Sequence, residues 1–147
     1  RGRIGPGDVQ WMTAGAGILH KEMHGRRLSV NGGNFELVQL WVNLPAKSKL
    51  TAPGYQTLLD RDIPAVTLAG GGRVRVIAGE FEGAKGPAKT FTPINLWDVR
   101  LPAGASADLR LPEGHTTALF VLKVVGGSVV LLGVGQMFFW RGRQPNR

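Results

Sequence analysis

The sequence contains no cysteine among its 147 residues, and this absence removes several kinds of chemistry. Disulfide bonds, thiolate metal ligands and thiol nucleophiles are all excluded, because each of them needs a cysteine side chain. The sequence consequently carries no information on the redox compartment, and the cytoplasm is the default expectation.

Long apolar runs are also absent. The most apolar run, Val129 to Val134, has the length of a strand, whereas a membrane-spanning helix needs about 20 apolar residues. No apolar stretch follows Arg1-Gly2-Arg3, so we expect no signal peptide at this end. The first residue is not Met, which is compatible with a start inside a longer chain.

Acidic residues are scarce, with 10 Asp and Glu against 18 Lys and Arg, which gives a formal net charge of +8. A basic excess invites a nucleic-acid function. However, five of the basic residues lie at the two ends: Arg1, Arg3, Arg141, Arg143 and Arg147. The other 13 basic residues form no run longer than Arg26-Arg27. We therefore predict no specific nucleic-acid binding, and only nonspecific phosphate affinity through the ends.

Glycine and proline, by contrast, are abundant, with 22 Gly and 9 Pro. This composition favours many short strands joined by tight turns and argues against a helical bundle. Segments 25–34, 46–61 and 80–92 are predicted to be loops, the second with a short helical turn at 56–59. Apolar and alternating runs predict strands at 9–12, 18–22, 35–44, 63–68, 74–78, 94–101, 107–111, 117–125 and 128–134.

The first strand follows the turn Gly5-Pro6-Gly7-Asp8, and after a glycine-rich bend the second predicted strand delivers His20 and Glu22. Successive strand residues face opposite sides, so these two side chains share a face and Lys21 points away. An imidazole and a carboxylate on one strand face provide half of a metal site. The alternative is an ordinary surface pair.

His24 would lie on the same strand face as His20. Residues four apart on a strand are separated by roughly 13 Å. One metal ion holds its ligands within about 2–2.3 Å. We therefore expect His24 to be a solvent-facing loop residue rather than a third ligand.

The stretch from Gly7 to Glu22 resembles the pirin family, whose pattern here is close to GDVQWMTAGxGIxHSE. The sequence matches at Gly7 to Gly15, Gly17, Ile18, His20 and Glu22, and Lys21 stands where Ser is usual. Further matching segments are Gln39 to Lys47, Tyr55-Gln56 and Val74 to Gly79.

The resemblance implies an all-β fold of the cupin type, in which strands form β-barrels or jelly rolls. Residues 1–60 would be the C-terminal part of the first barrel with its linker, and residues 61–136 the second barrel. Residues 137–147 do not resemble the family and form an atypical basic tail. Phe138-Phe139-Trp140 could begin it with a final strand, or the tail could be an artefact of the reading frame.

In the pirin family three His and one Glu hold a metal, usually iron. His20 and Glu22 match the last His and the Glu, whereas the two upstream His have no counterpart in this sequence. The resemblance thus implies an incomplete site, unless a second chain supplies the missing strands or ligands. In the second half only His115 remains of a cupin motif, and Lys123 stands where Glu is usual. We expect a metal-free second barrel, with His115 as a turn residue.

The implied activity is that of a quercetin 2,3-dioxygenase, an oxidoreductase that uses Fe(II) and a flavonol-like substrate. Glu22 would then be a ligand and would also move a proton. A metal-tuned regulatory module that binds a protein partner is the first alternative, and an inactive, truncated family member is the second. An open barrel would expose strand edges, which favours homo-oligomers.

Overall fold

The computed structural model describes residues 2–123, 128–133 and 137–140; from Lys123 onward, it describes only the backbone. This part of the chain is almost entirely β-structure. Its one α-helix is α1, Arg26–Asn31, and single 3-10 turns span Ala46–Ser48 and Asp60–Asp62. The strands are β1 Val9–Thr13, β2 Gln39–Val42, β3 Gly54–Leu58, β4 Ala65–Thr67, β5 Arg73–Ala78, β6 Glu80–Phe81, β7 Ala84–Lys85, β8 Asn95–Arg100, β9 Thr117–Lys123, β10 Ser128–Gly133 and β11 Met137–Trp140.

Five of these strands form one antiparallel sheet in the order β4-β5-β8-β10-β9. Three antiparallel pairs accompany it: β1 with β3, β2 with β11, and β6 with β7. Met137–Trp140 forms a strand paired with β2, in agreement with the first of the two alternatives for this end, and residues 141–147 lie outside the described residues.

Both faces of the five-stranded sheet are covered at its centre. On one face Val74, Val76, Trp97 and Val99 pack with Phe81. On the other face a second cluster of buried residues forms, against which β1 and β2 pack; its members are Leu58, Ile63, Ile77, Ala78, Ile94 and Leu96. A register shift lies between Val76 and Ala78 at the end of β5. As a result, Ile77 and Ala78 both belong to the second cluster, whereas Val76 belongs to the first. The second cluster thus joins residues 9–58 to the sheet.

A buried arginine ties the N-terminal turn to this sheet. Arg75, on β5, is only 5% exposed. Its guanidinium donates to Asp98 Oδ2 at 2.8 Å and to the Gly7 carbonyl oxygen at 2.5 Å, and it lies 2.6 Å from Asp60 Oδ1. A buried charge is tolerated when it is paired and hydrogen-bonded, and here the partners come from three separate segments.

Asp8 also links the N-terminal turn to the 3-10 turn at Asp60. Its carboxylate accepts hydrogen bonds from the backbone N–H groups of Gly5 and Asp60, both at 2.8 Å. These bonds favour the charged form, and the pKa of Asp8 is therefore lowered. Gly7 adopts φ +83°, and a Cβ there would lie 2.5 Å from Asp60 Oδ1. The turn therefore requires glycine at this position.

The predicted strand at 18–22 is wrong. Residues 18–25 contain no strand, and none of the backbone N–H groups from 18 to 24 has a hydrogen-bond acceptor among the described residues. A β-strand is defined by pairing with a neighbour, and apolar alternation alone does not supply one.

Other local predictions also need correction. Segment 25–34 contains α1 rather than only a loop, and Gly32, at φ +67°, ends that helix. The helical turn expected at 56–59 is strand β3. Segment 80–92 holds the short β6–β7 hairpin, and 107–111 forms no strand. Of the strand expected at 35–44, only β2, Gln39–Val42, is a strand in the structure. The last residues of two other expected strands, 124, 125 and 134, lie outside the described residues.

Candidate metal centre

The candidate ligands lie just beyond β1, on a segment whose start is fixed by the backbone. The Ala16 N–H donates to the Thr51 carbonyl oxygen at 2.9 Å, and the Gly17 N–H donates to that of Ala14 at 2.9 Å. Gly15 adopts φ +52°, and any Cβ there would clash with the Thr51 carbonyl group. These contacts require glycine at position 15, and from residue 18 to residue 24 no backbone N–H has an acceptor among the described residues.

His20 and Glu22 are both exposed on this segment. Within the described residues neither side chain has a hydrogen-bond or ion-pair partner. A ligating histidine normally donates its other ring N–H to a carboxylate or a carbonyl oxygen, which fixes its orientation. No described group does so for His20. Both side chains are therefore free to bind an external partner.

Apolar side chains surround this pair along the chain. Leu19 is fully exposed, Met23 is 70% exposed, and Ile18 is 38% exposed. Exposed apolar residues that are close together mark a contact surface more often than isolated ones do. The segment thus presents an imidazole and a carboxylate, both able to bind a metal ion, among exposed apolar side chains.

His24 has a different environment from His20. Its ring lies 5.0 Å from the ring of Phe35, centroid to centroid, at an interplanar angle of 59°. Its carbonyl oxygen accepts a 3.4 Å hydrogen bond from Ser29 Oγ, within α1. His24 is exposed and lies in a loop, which confirms its expected solvent-facing loop position.

His115 also lies in a turn, as expected. Its backbone N–H is 3.4 Å from the Pro112 carbonyl oxygen. Its side chain is half-buried.

The described residues do not complete a metal centre. Among them, no three His, Asp or Glu side chains come together in a way that could hold an ion. His20 and Glu22 fit a divalent first-row metal in chemistry, but two ligands leave most coordination positions to water. The assignment of His20 and Glu22 as metal ligands therefore stays a prediction.

Sequence reasoning missed the charged cluster around Arg75. The signal was a lone charged residue inside an apolar strand, Val74-Arg75-Val76-Ile77, which predicts a buried charge that needs a partner. Asp98 occupies the corresponding position in β8, directly opposite Arg75. The sequence does not reveal this register.

In the part of the chain that the structure describes, no helix is long and apolar enough to cross a membrane.

Comparison with known proteins agrees with the motif. The pirin family model matches residues 1–42. A Pseudomonas aeruginosa protein named "Putative quercetin 2,3-dioxygenase PA2418" is 55% identical over 88% of this chain and 46% of its own length. The Mus musculus protein named "Pirin" is 41% identical over 99% of this chain and 53% of its own length.

The fold matches that of a solved relative. The crystal structure of quercetin 2,3-dioxygenase from Acinetobacter baumannii has a TM-score of 0.79 and 47% sequence identity, over 92% of this chain and 51% of that one. The chain thus spans about half the length of the relatives it matches. Its first 42 residues match the pirin family model, most of the chain is similar to pirin-type relatives, and it has the all-β fold of the cupin class.

Proposed function

We propose that this chain carries two ligands, His20 and Glu22, of a pirin-type metal centre. We further propose that its activity is oxidation of a flavonol-like compound in the manner of a quercetin 2,3-dioxygenase. The observation that supports this most is the state of the pair: both side chains match the family motif, and both are exposed and unpaired among the described residues.

The roles of the two residues follow from their chemistry. A neutral imidazole nitrogen of His20 and a carboxylate oxygen of Glu22 are ligands that Fe(II) accepts. Iron, when bound, would supply redox and Lewis-acid chemistry. The remaining ligands would come from a second chain. Glu22 is also our candidate for the group that moves a proton.

Consumption of quercetin under air, with and without added Fe(II), tests this proposal. We expect consumption that depends on Fe(II) and is lost in His20→Ala and Glu22→Gln. His24→Ala is the matched control, because it removes a neighbouring exposed imidazole that the motif does not assign to the metal, and it should keep the activity. Equal rates in all four proteins would refute the proposal.

A second candidate is a regulatory module that binds a protein partner. The exposed apolar side chains of Ile18, Leu19 and Met23 beside the two donors favour it. A partner that is retained by the wild type and by His20→Ala, but lost in Leu19→Ser, would support this function. Fe(II)-dependent quercetin consumption would favour the enzyme instead.

Two further expectations remain proposals. We propose a division near residue 60 between a part of the first barrel and the second barrel, which limited proteolysis in the 46–61 connection would test. We propose the cytoplasm as the location, which fractionation of the source cells would test.

A further inference from the structure

Besides the ion pairs of Arg75, the five-stranded sheet carries another group of charged side chains, at its end farther from Ile77 and Leu96. Arg73 on β5 is directly opposite Arg100 on β8, and Thr67 on β4 is directly opposite Arg73. Opposite residues in an antiparallel pair point to the same face, with Cβ atoms roughly 5 Å apart. The Cβ atoms of two arginines and a threonine thus lie side by side across three strands.

These three residues line an open recess of about 440 Å³, which is completed by Gly72, Leu101 and Pro102. Arg73 and Thr67 are exposed, and the side chain of Arg100 is 47% exposed. The recess is therefore accessible, and basic, hydroxyl and apolar groups all line it.

The charges in this region do not balance. Asp98 is 2.8 Å from Arg75 and 3.4 Å from Arg100, and Asp60 is 2.6 Å from Arg75. Two carboxylates thus serve Arg75 and Arg100, and among the described residues Arg73 has no acidic partner. Like charges that face each other across a sheet are destabilising. An anion bound between Arg73 and Arg100 would remove this repulsion.

The arrangement indicates which anion would fit. One guanidinium presents two parallel N–H donors and satisfies one carboxylate, whereas two adjacent guanidiniums match the several oxygens and the double charge of a phosphate group. The Thr67 hydroxyl adds one donor. We propose that the recess formed by Thr67, Arg73 and Arg100 is a binding site for a phosphate group, free or as a monoester. The site is separate from His20 and Glu22 and does not depend on the metal.

The test is titration of the purified chain with inorganic phosphate at constant ionic strength, followed by amide chemical shifts in ¹H–¹⁵N NMR spectra. We expect saturable shifts at Thr67, Gly72 and Leu101. Binding should be about tenfold weaker or more in Arg73→Ala and in Arg100→Ala, because each variant removes charge-assisted hydrogen bonds. Phenyl phosphate, titrated in the same way, distinguishes an ester from the free ion: tighter binding of the ester would support a monoester ligand.

Arg61→Ala is the matched control. The Arg61 side chain is 79% exposed and lies 3.8 Å from Asp62. Its substitution removes the same charge as the other two variants do, but from outside the recess. It should leave phosphate binding unchanged. Shifts that do not saturate, or that weaken equally in Arg61→Ala, would overturn the proposal, because they would show general attraction to a basic chain. Arg73 has no ion-pair partner among the described residues, so its removal should leave the fold intact, which the unfolding midpoint verifies.

Discussion

At the scale of single residues, Arg75 has the most consequential environment in the described chain. It is a buried cation whose three partners, Asp98, Asp60 and the Gly7 carbonyl group, belong to the sheet, the 3-10 turn and the N-terminal turn. Its removal would leave Asp98, which is also buried, with only the 3.4 Å contact to Arg100.

We predict that Arg75→Met lowers the free energy of unfolding by about 3–5 kcal/mol, because breaking a buried ion pair leaves an uncompensated charge. Urea unfolding measures the change. Arg73→Ala, two residues along the same strand but exposed, is the control and should change stability by about 0.5 kcal/mol at most. If the two variants have equal effects, Arg75 does not join the segments as described.

Gly7→Ala should also destabilise the fold. Its positive φ and the 2.5 Å approach of Asp60 to the position of a Cβ predict a loss of about 1–3 kcal/mol. Gly5→Ala in the same turn is the matched control, since the nearest atom there is an ordinary 3.5 Å away. Equal midpoints for the two variants in urea would show that the turn adapts.

Asp8 makes the stability depend on pH in acid. Its pKa is lowered in the folded state, first by the hydrogen bond from Gly5 and then by that from Asp60. Its contribution is therefore complete above the ordinary pKa of 3.8 and is lost as the pH falls through the lower, folded-state value. We expect wild type and Asp8→Asn to converge in stability as the pH drops below 3.8. A stability difference that stays constant through that range would contradict this assignment.

The sequence predicted the residues of the N-terminal turn but not their partners. Glycine and proline define the turn through local backbone preferences, which a sequence shows directly. The pairing of Asp8 with Asp60, 52 positions away, depends on how β1 and β3 are placed, which no local pattern encodes.

At the scale of elements, the strands of the central sheet were predictable and several connections were not. Strands β5 and β8 are buried on both faces, so their apolar runs stand out in the sequence. Strand β3 is mostly exposed, and its polar sequence concealed it. Pairing with β1 forms this strand, and Gln56 reinforces it by exchanging hydrogen bonds of 3.0 and 2.9 Å with the backbone of Lys89.

The segment that carries His20 and Glu22 provides a prediction at this scale. Its N–H groups from 18 to 24 lack acceptors in the described chain, so we expect their amides to exchange with solvent within seconds. The amides of Val74 and Val76 should exchange far more slowly. Hydrogen exchange followed by mass spectrometry makes the comparison, and slow exchange at 18–24 would show that another strand or chain pairs there.

At the scale of the whole molecule, the fold is that of the cupin class, whereas the described residues bring together no complete set of metal ligands. Strand spacing predicted an all-β fold, the resemblance to the pirin motif implied that it is of the cupin type, and the similarity to the solved relative confirms it. The arrangement of metal ligands could not be predicted in full. Residues that converge on one ion come from distant segments, and the described part of this chain brings together fewer than three.

His20 and Glu22 are proposed as metal ligands, and anaerobic titration of the purified chain with Fe(II), with the iron bound per chain as the readout, decides whether they are. We predict saturable binding that weakens about tenfold or more in His20→Ala and Glu22→Gln, in line with the loss of one ligand. Binding should be unchanged in His24→Ala. Iron that binds equally well to wild type and His20→Ala, or that does not bind to the wild type at all, would contradict the claim.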